Sequence, residues 1–247
     1  MVPEKQIGEF VDKMRKVAGE NMVSVILYGS AAMGEFHPDF SNVNLLCILR
    51  DTSFAQLSTI TPVVKWWVEK KHHSPLVLAA DELYRSVDVF SIEFLDMKLR
   101  HRVLFGEDLL SGLEIPMHLH RVQLEYELRE KTILLRQQLL LNSGRPRELW
   151  ELLLRSLPAF TTLFRHALIA SGDAASAAVS LSKRDTVQTL AARVKFDPSP
   201  FLQLLDIREH KAERKDFEIG DICGRYLLAV QQVATAVDTM LDSRKLG

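Results

Sequence analysis

Two short apolar runs separated by a polar turn constrain this chain most: residues 23–28, Val-Ser-Val-Ile-Leu-Tyr, and residues 43–49, Val-Asn-Leu-Leu-Cys-Ile-Leu. Each has the length and the β-branched, aliphatic character of a buried strand. The first run breaks at Gly29-Ser30. Glycine there allows a sharp turn that can bring backbone N–H groups close to a ligand. A polar, Pro-containing loop, residues 31–41, then leads to the second run.

This order resembles the opening signature of the nucleotidyltransferase superfamily, the polymerase-beta-like fold, and within it the aminoglycoside nucleotidyltransferases. The family pattern is a strand, Gly-Ser, Arg-Gly, a variable loop and Ser-Asp-x-Asp entering the next strand. Gly29, Ser30, Gly34 and Ser41 match it. Met33 stands where the family has Arg, and Asn42 and Asn44 stand where it has two metal-binding aspartates. The resemblance implies that the 29–34 turn cradles a nucleoside triphosphate, with Gly29, Ser30 and Gly34 as the binding positions. The competing reading is an ordinary tight turn.

The substitutions at 42 and 44 decide how much chemistry survives. Alternate residues of a strand share a face, so Asp-x-Asp sets two carboxylates side by side. Such a pair suits magnesium, a hard cation that bridges carboxylates to substrate phosphates. Asparagine keeps one carbonyl oxygen but removes the charge, and its NH₂ group repels a cation. The Asp-x-Asp motif is therefore degenerate, and metal-assisted phosphoryl transfer of the usual kind is expected to be crippled. Asp39 and Asp96 are the candidate substitute ligands. The plainer reading of Asp39 is a turn former after Pro38.

Around these strands, residues 4–20 and 54–71 have helical apolar spacing, the second with Pro62 inside it. Trp66-Trp67 reads as core, and His72-His73 gets no ligand role, since neighbours on a helix do not face one another. Residues 76–79 read as a third strand, and a short helix follows to about residue 87. Residues 90–95 alternate as a fourth strand carrying Glu93, and residues 103–106 as a short last one. The resemblance implies a third carboxylate from a later strand, acting as metal ligand or as general base. Glu93 is the candidate base, with Asp96 and Asp88 as rivals. Lys98, Arg100, His101 and Arg102 form a basic cluster that could meet phosphate, or simply a solvated surface.

Residues 111–116, Ser-Gly-Leu-Glu-Ile-Pro, are rich in turn formers and mark the domain boundary. Beyond them the pattern is helical: 117–142, 147–170, 185–195, 200–209 and 218–241, with short loops, an antiparallel bundle. The expected fold class is α+β, with a mixed, mostly antiparallel sheet domain at 1–112 and an all-α bundle at 113–247. By resemblance Glu125, Arg129 and Arg136 could face a substrate cleft; exposed helix charges are otherwise simply solvated. A helical ribonuclease of the HEPN type has the signature Arg, four to six residues, then His, and none of the eight histidines has an Arg at that distance upstream.

Composition excludes other classes. With 31 basic against 32 acidic residues the formal charge is −1, giving no strong nucleic-acid signal. Two cysteines, Cys47 and Cys223, make neither a disulfide framework nor a metal-ligand spacing. No leader pattern and no membrane-length apolar run is present, so the expected setting is cytoplasmic, with no membrane partner. The expected function is a nucleotidyltransferase-like protein, a pseudoenzyme with impaired or absent transfer that retains nucleotide binding. The alternative is an active enzyme moving a nucleoside monophosphate from an NTP, with Mg²⁺, to a hydroxyl of a small-molecule or protein acceptor. A homo-oligomer is compatible with either.

Overall fold

The structure is a computed structural model that describes residues 2–34, 36 and 42–242, the last three by backbone alone. The chain forms two compact units, Met1–Pro116 and Met117–Gly247. Among the described residues, no helix is long and apolar enough to cross a membrane.

The first unit is built on a four-stranded sheet. Its strands are β1 (Met22–Tyr28), β2 (Asn44–Leu49), β3 (Leu76–Ala79) and β4 (His101–Gly106), in the order β3-β2-β1-β4. β1 runs antiparallel to both β2 and β4, and β3 is parallel to β2. Both central strands carry apolar residues on both faces, Ser24 and Asn44 apart, because both sheet faces are covered. On one face Val25, Leu27, Leu45, Cys47 and Leu49 pack with Phe10 and Met14 of α1 (Glu4–Ala18) and Trp67 of α2 (Phe54–Glu69). On the other, Ile26, Leu46 and Ile48 pack with Leu83 of α3 (Ala80–Arg85) and with Phe94 and Met97 of α4 (Ser91–Leu99). The result is three layers, helices–sheet–helices, in a mixed sheet.

α4 corrects the reading of residues 90–95 as a strand: this segment is helical from Ser91 onward. Its buried positions Ser91, Phe94 and Met97 recur every third residue, and the Phe94 N–H donates to the Phe90 carbonyl at 2.9 Å. Over so few residues, alternation and helical spacing could not be told apart. β4 begins two residues earlier than the apolar pattern suggested, taking in His101 and Arg102. α2 runs through Pro62 without a break.

Trp67 donates its indole N–H to the His73 carbonyl at 2.9 Å and stacks on His72, ring centroids 3.9 Å apart. His72 in turn meets Gln6 at 2.6 Å. The adjacent aromatic and histidine pairs are thus joinery between α1, α2 and the loop leading to β3. Lys98 donates to the Leu113 carbonyl at 2.7 Å, and Leu113 is buried, so residues 113–116 belong with the first unit.

The second unit is helical. α5 (His120–Leu141), α6 (Pro146–Ala170) and α10 (Ile219–Asp242) are its long members, and α7 (Ala175–Ser180), α8 (Lys183–Val194) and α9 (Ser199–Arg208) its short ones. Leu124, Leu128 and Leu135 of α5 and Leu153, Leu157, Phe160 and Phe164 of α6 are buried, as are Val230, Val233 and Val237 of α10. Tyr226 stacks on Phe201 at 4.3 Å and meets Ser156 at 3.0 Å, so its hydroxyl is not left without a partner in the core. α6 contains Pro158, which has no N–H for the Leu154 carbonyl four residues back.

Candidate functional site

β1 ends where the signature turn begins. Gly29 has φ +76°, a left-handed conformation that suits glycine, and residues 29–31 form a single tight turn. The Gly29 N–H donates to the Arg100 carbonyl at 3.1 Å, and the Gly29 carbonyl accepts from Ala32 at 3.1 Å. The Gly29 amide is therefore committed to β4's edge, and its contribution to a ligand is conformational. Ser30 follows, half-buried, and Gly34 has φ +74° on an exposed stretch with Met33. Asp39 and Ser41 lie outside the described residues.

Asn42 is exposed just before β2, and Asn44 is the first residue of that strand. Asn44 shares the parity of Leu46 and Ile48, so it lies on the α3–α4 face of the sheet. A Cβ added to Gly29 would come within 3.2 Å of the Asn44 Nδ2, which places the amide directly over the turn. Asn44 pairs across the ladder with Tyr28, and Tyr28 pairs with His101. Asn44, Tyr28 and His101 thus form one row across three strands at the turn end of the sheet. Burial raises the Tyr28 hydroxyl above its ordinary pKa.

His101 is held from both sides. Its Nδ1 meets the Lys98 carbonyl and its Nε2 meets Asp108, each at 3.0 Å. Asp108 also accepts from the Ser111 hydroxyl at 2.5 Å and from the Ser111 N–H at 3.0 Å. Burial alone would raise the Asp108 carboxyl, but the Ser111 hydrogen bonds and the His101 ring outweigh it and hold it below its ordinary value. This clasp was not read from the sequence, although each of its contacts spans seven residues or fewer.

The basic cluster read in the sequence is dispersed. Lys98 holds Leu113, His101 holds Asp108, Arg100 is buried, and Arg102 makes a two-pronged pair with Glu4 at 2.8 Å. Glu93 and Asp96 lie three residues apart on one face of α4, both half-buried, while Asp88 is exposed in the preceding turn. Glu93 therefore comes from a helix and not from a strand. In the second unit, Arg129 is bound by Glu125 at 2.6 Å and by Asp238 at 2.8 Å, and Arg136 is exposed.

A metal ion is poorly served here. Asn42 and Asn44 supply neutral amides, and no group of three or more His, Cys, Asp or Glu that could hold a metal occurs among the described residues. Magnesium does not fit this donor set. What the turn does offer is a serine hydroxyl and amide NH₂ groups, donors suited to phosphate or hydroxyl oxygens.

No family model matches the chain, and no curated protein matches it. Solved structures do match, and they share this fold, a mixed sheet domain followed by a helical region. One such structure is spectinomycin adenyltransferase AAD(9) from Enterococcus faecialis, crystallised with ATP and spectinomycin. The match covers 95% of this chain and 99% of that one, with a TM-score of 0.58 and 13% sequence identity.

Proposed function

We propose that this chain is a nucleotidyltransferase-fold protein that binds a nucleotide at the Gly29–Gly34 turn but has lost, or largely lost, metal-dependent nucleotidyl transfer. The observation that carries this is Asn44 seated over Gly29, where the family's carboxylate would reach the metal. The amide holds the place of the carboxylate without its charge. AAD(9) was crystallised with ATP, which supports a nucleotide as the ligand class. Two free cysteines, one of them fully enclosed, fit a cytoplasmic, reducing setting.

A second reading rests on Glu93 and Asp96, which α4 carries on the layer that covers Asn44's face of the sheet. Under it the protein is an active transferase to a small-molecule or protein hydroxyl. Glu93 would be the base, and Asp39 or Asp96 the replacement metal ligands.

Calorimetric titration with each of four nucleoside triphosphates, with and without Mg²⁺, separates the two. Binding that ignores Mg²⁺ in the wild type and depends on it in Asn42→Asp/Asn44→Asp is the expected result. Mg²⁺-dependent binding by the wild type would show a cation site held by other ligands and favour the second reading. No binding by either protein would refute both.

A further inference from the structure

Polar side chains that lose water when this chain folds mostly find a partner. Ser24 donates to two carbonyls beside β4, and Tyr226, enclosed in the helical unit, meets Ser156 at 3.0 Å. A polar group withdrawn from water without a partner costs stability, so this is the expected pattern. The turn at the end of β1 departs from it. The Tyr28 hydroxyl, the Ser30 hydroxyl and the Asn44 side-chain amide make no hydrogen bond among the described residues, although all three residues are half-buried. None of these polar groups is closed off from solvent.

The three meet around Gly29. Tyr28 precedes it and Ser30 follows it. Asn44 faces Tyr28 directly across the β1–β2 ladder, where side chains on one face stand about 4.5–5.5 Å apart at Cβ. Both lie on the α3–α4 face, the Tyr28 ring packing with the cluster of Ile26 and Leu46. His101, on the other side of Tyr28, does not take up its hydroxyl, because both ring nitrogens are engaged by the Lys98 carbonyl and Asp108. Burial raises the Tyr28 pKa, so the hydroxyl keeps its proton at neutral pH and remains a donor.

On the footing of the nucleotide site proposed above, we infer that Tyr28 touches the ligand: its hydroxyl donates to a phosphate oxygen of the nucleotide, alongside the Asn44 amide and the Ser30 hydroxyl. A deprotonated phosphate oxygen only accepts, which matches three side chains able to donate. Neutral donors can hold it without a metal ion. The ring belongs to the sheet's core and the hydroxyl to the ligand, so removing the oxygen alone separates the two roles.

The test is Tyr28→Phe in the full chain, with ATP, GTP, CTP and UTP in the absence of Mg²⁺. Urea unfolding should give the wild-type midpoint, since the hydroxyl holds nothing within the fold. Calorimetry should show affinity for the tightest-bound of the four lowered roughly tenfold, the effect of one donor lost to a charged acceptor. Labelling with 3-fluorotyrosine gives a fluorine resonance for each of the four tyrosines. The resonance missing from Tyr28→Phe should be the one that moves most when that nucleotide binds. Phosphorus NMR of the bound nucleotide should differ between the two proteins. Equal affinity in the two proteins would overturn the proposal, as would a lowered urea midpoint, which would place the hydroxyl in the fold's own bonding. Weakened binding with identical phosphorus shifts at saturation would overturn the assignment to phosphate. A wild type that binds none of the four would refute the nucleotide site itself, and this contact with it.

Discussion

Asn44 lies over Gly29 so closely that a single methyl on residue 29 would come within 3.2 Å of its Nδ2. Gly29 has φ +76° and gives its N–H to the Arg100 carbonyl, so three elements meet at that one backbone position: β1, β2 and the start of β4. The site proposed for nucleotide is therefore also a structural junction.

Gly29→Ala should separate these two roles. The left-handed backbone alone costs a non-glycine residue roughly 1–2 kcal/mol, and the Asn44 amide has to give way as well. Gly106→Ala is the severe comparison, since its Cβ would fall 1.9 Å from the Val23 carbonyl oxygen, at φ +79°. Chemical denaturation should show a loss of about 1–2 kcal/mol for the first and roughly 3 kcal/mol or more for the second. Calorimetry should show nucleotide affinity falling in folded Gly29→Ala. Unchanged affinity there would detach the turn from binding.

Arg208 repairs a defect in α6. Its Nη1 donates at 3.1 Å to the Leu154 carbonyl, the group that Pro158 leaves without its helical donor. Burial lowers the pKa of the Arg208 guanidinium. Arg208→Met should cost about 1–3 kcal/mol, the range for a buried carbonyl left unsatisfied. Pro158→Ala restores a backbone donor, so the cost of Arg208→Met should fall by about 1 kcal/mol in that background. A double-mutant cycle by urea unfolding measures the difference, and strict additivity would show that the two residues are not coupled.

Asp108 should contribute to the acid limb of stability. Its carboxyl is held below its ordinary value, so the folded state binds its proton less readily than the unfolded chain does. That contribution is present above the unfolded value near 4 and is lost as pH falls through the lower folded value. Thermal melts from neutral pH down into that range should show a shallower acid decline for Asp108→Asn than for wild type. Equal acid slopes would show that the His101–Asp108–Ser111 clasp does not form in solution.

Neither thiol should react readily in the folded protein. Burial pushes Cys47 up to about 12 and Cys223 to about 11, so the thiolate is scarce near neutrality. A chromogenic disulfide reagent at mildly alkaline pH should titrate both thiols only after denaturant is added. Fast labelling of Cys47 would mean that the central sheet opens locally.

The first unit was legible where burial writes itself into composition. The runs at 23–28 and 43–49 are apolar on both pleat positions because helices cover both sheet faces, and they were read as strands. Residues 90–95 were misread because a one-turn segment with Phe90, Ile92 and Phe94 satisfies both periodicities, and only packing against Ile26 and Leu46 selects the helix. The Gly-Ser turn and the two asparagines were visible as local sequence. The row Asn44–Tyr28–His101 was not, since it joins residues more than seventy positions apart through strand register. Arg208's role was hidden likewise: Pro158 announces a missing donor, but nothing local names the side chain that replaces it.

The position of β1 has a consequence for the order in which the chain is made. β1 is central, yet one neighbour follows it closely, at Asn44–Leu49, while the other, His101–Gly106, leaves the ribosome more than seventy residues later. Until then the β1 edge is an open row of apolar strand, able to pair with any other extended chain. When β4 arrives it seals that edge. Ser24 then donates to the Phe105 and Glu107 carbonyls at 3.1 and 2.8 Å, and the close backbone fit at Gly106 fixes the register. The new outer edge carries Arg102 pinned to Glu4, a charged rim that discourages further pairing. A fragment ending before His101 would keep β1's edge bare. It should collect in inclusion bodies, whereas a chain ending at Pro116 has everything needed to close its sheet.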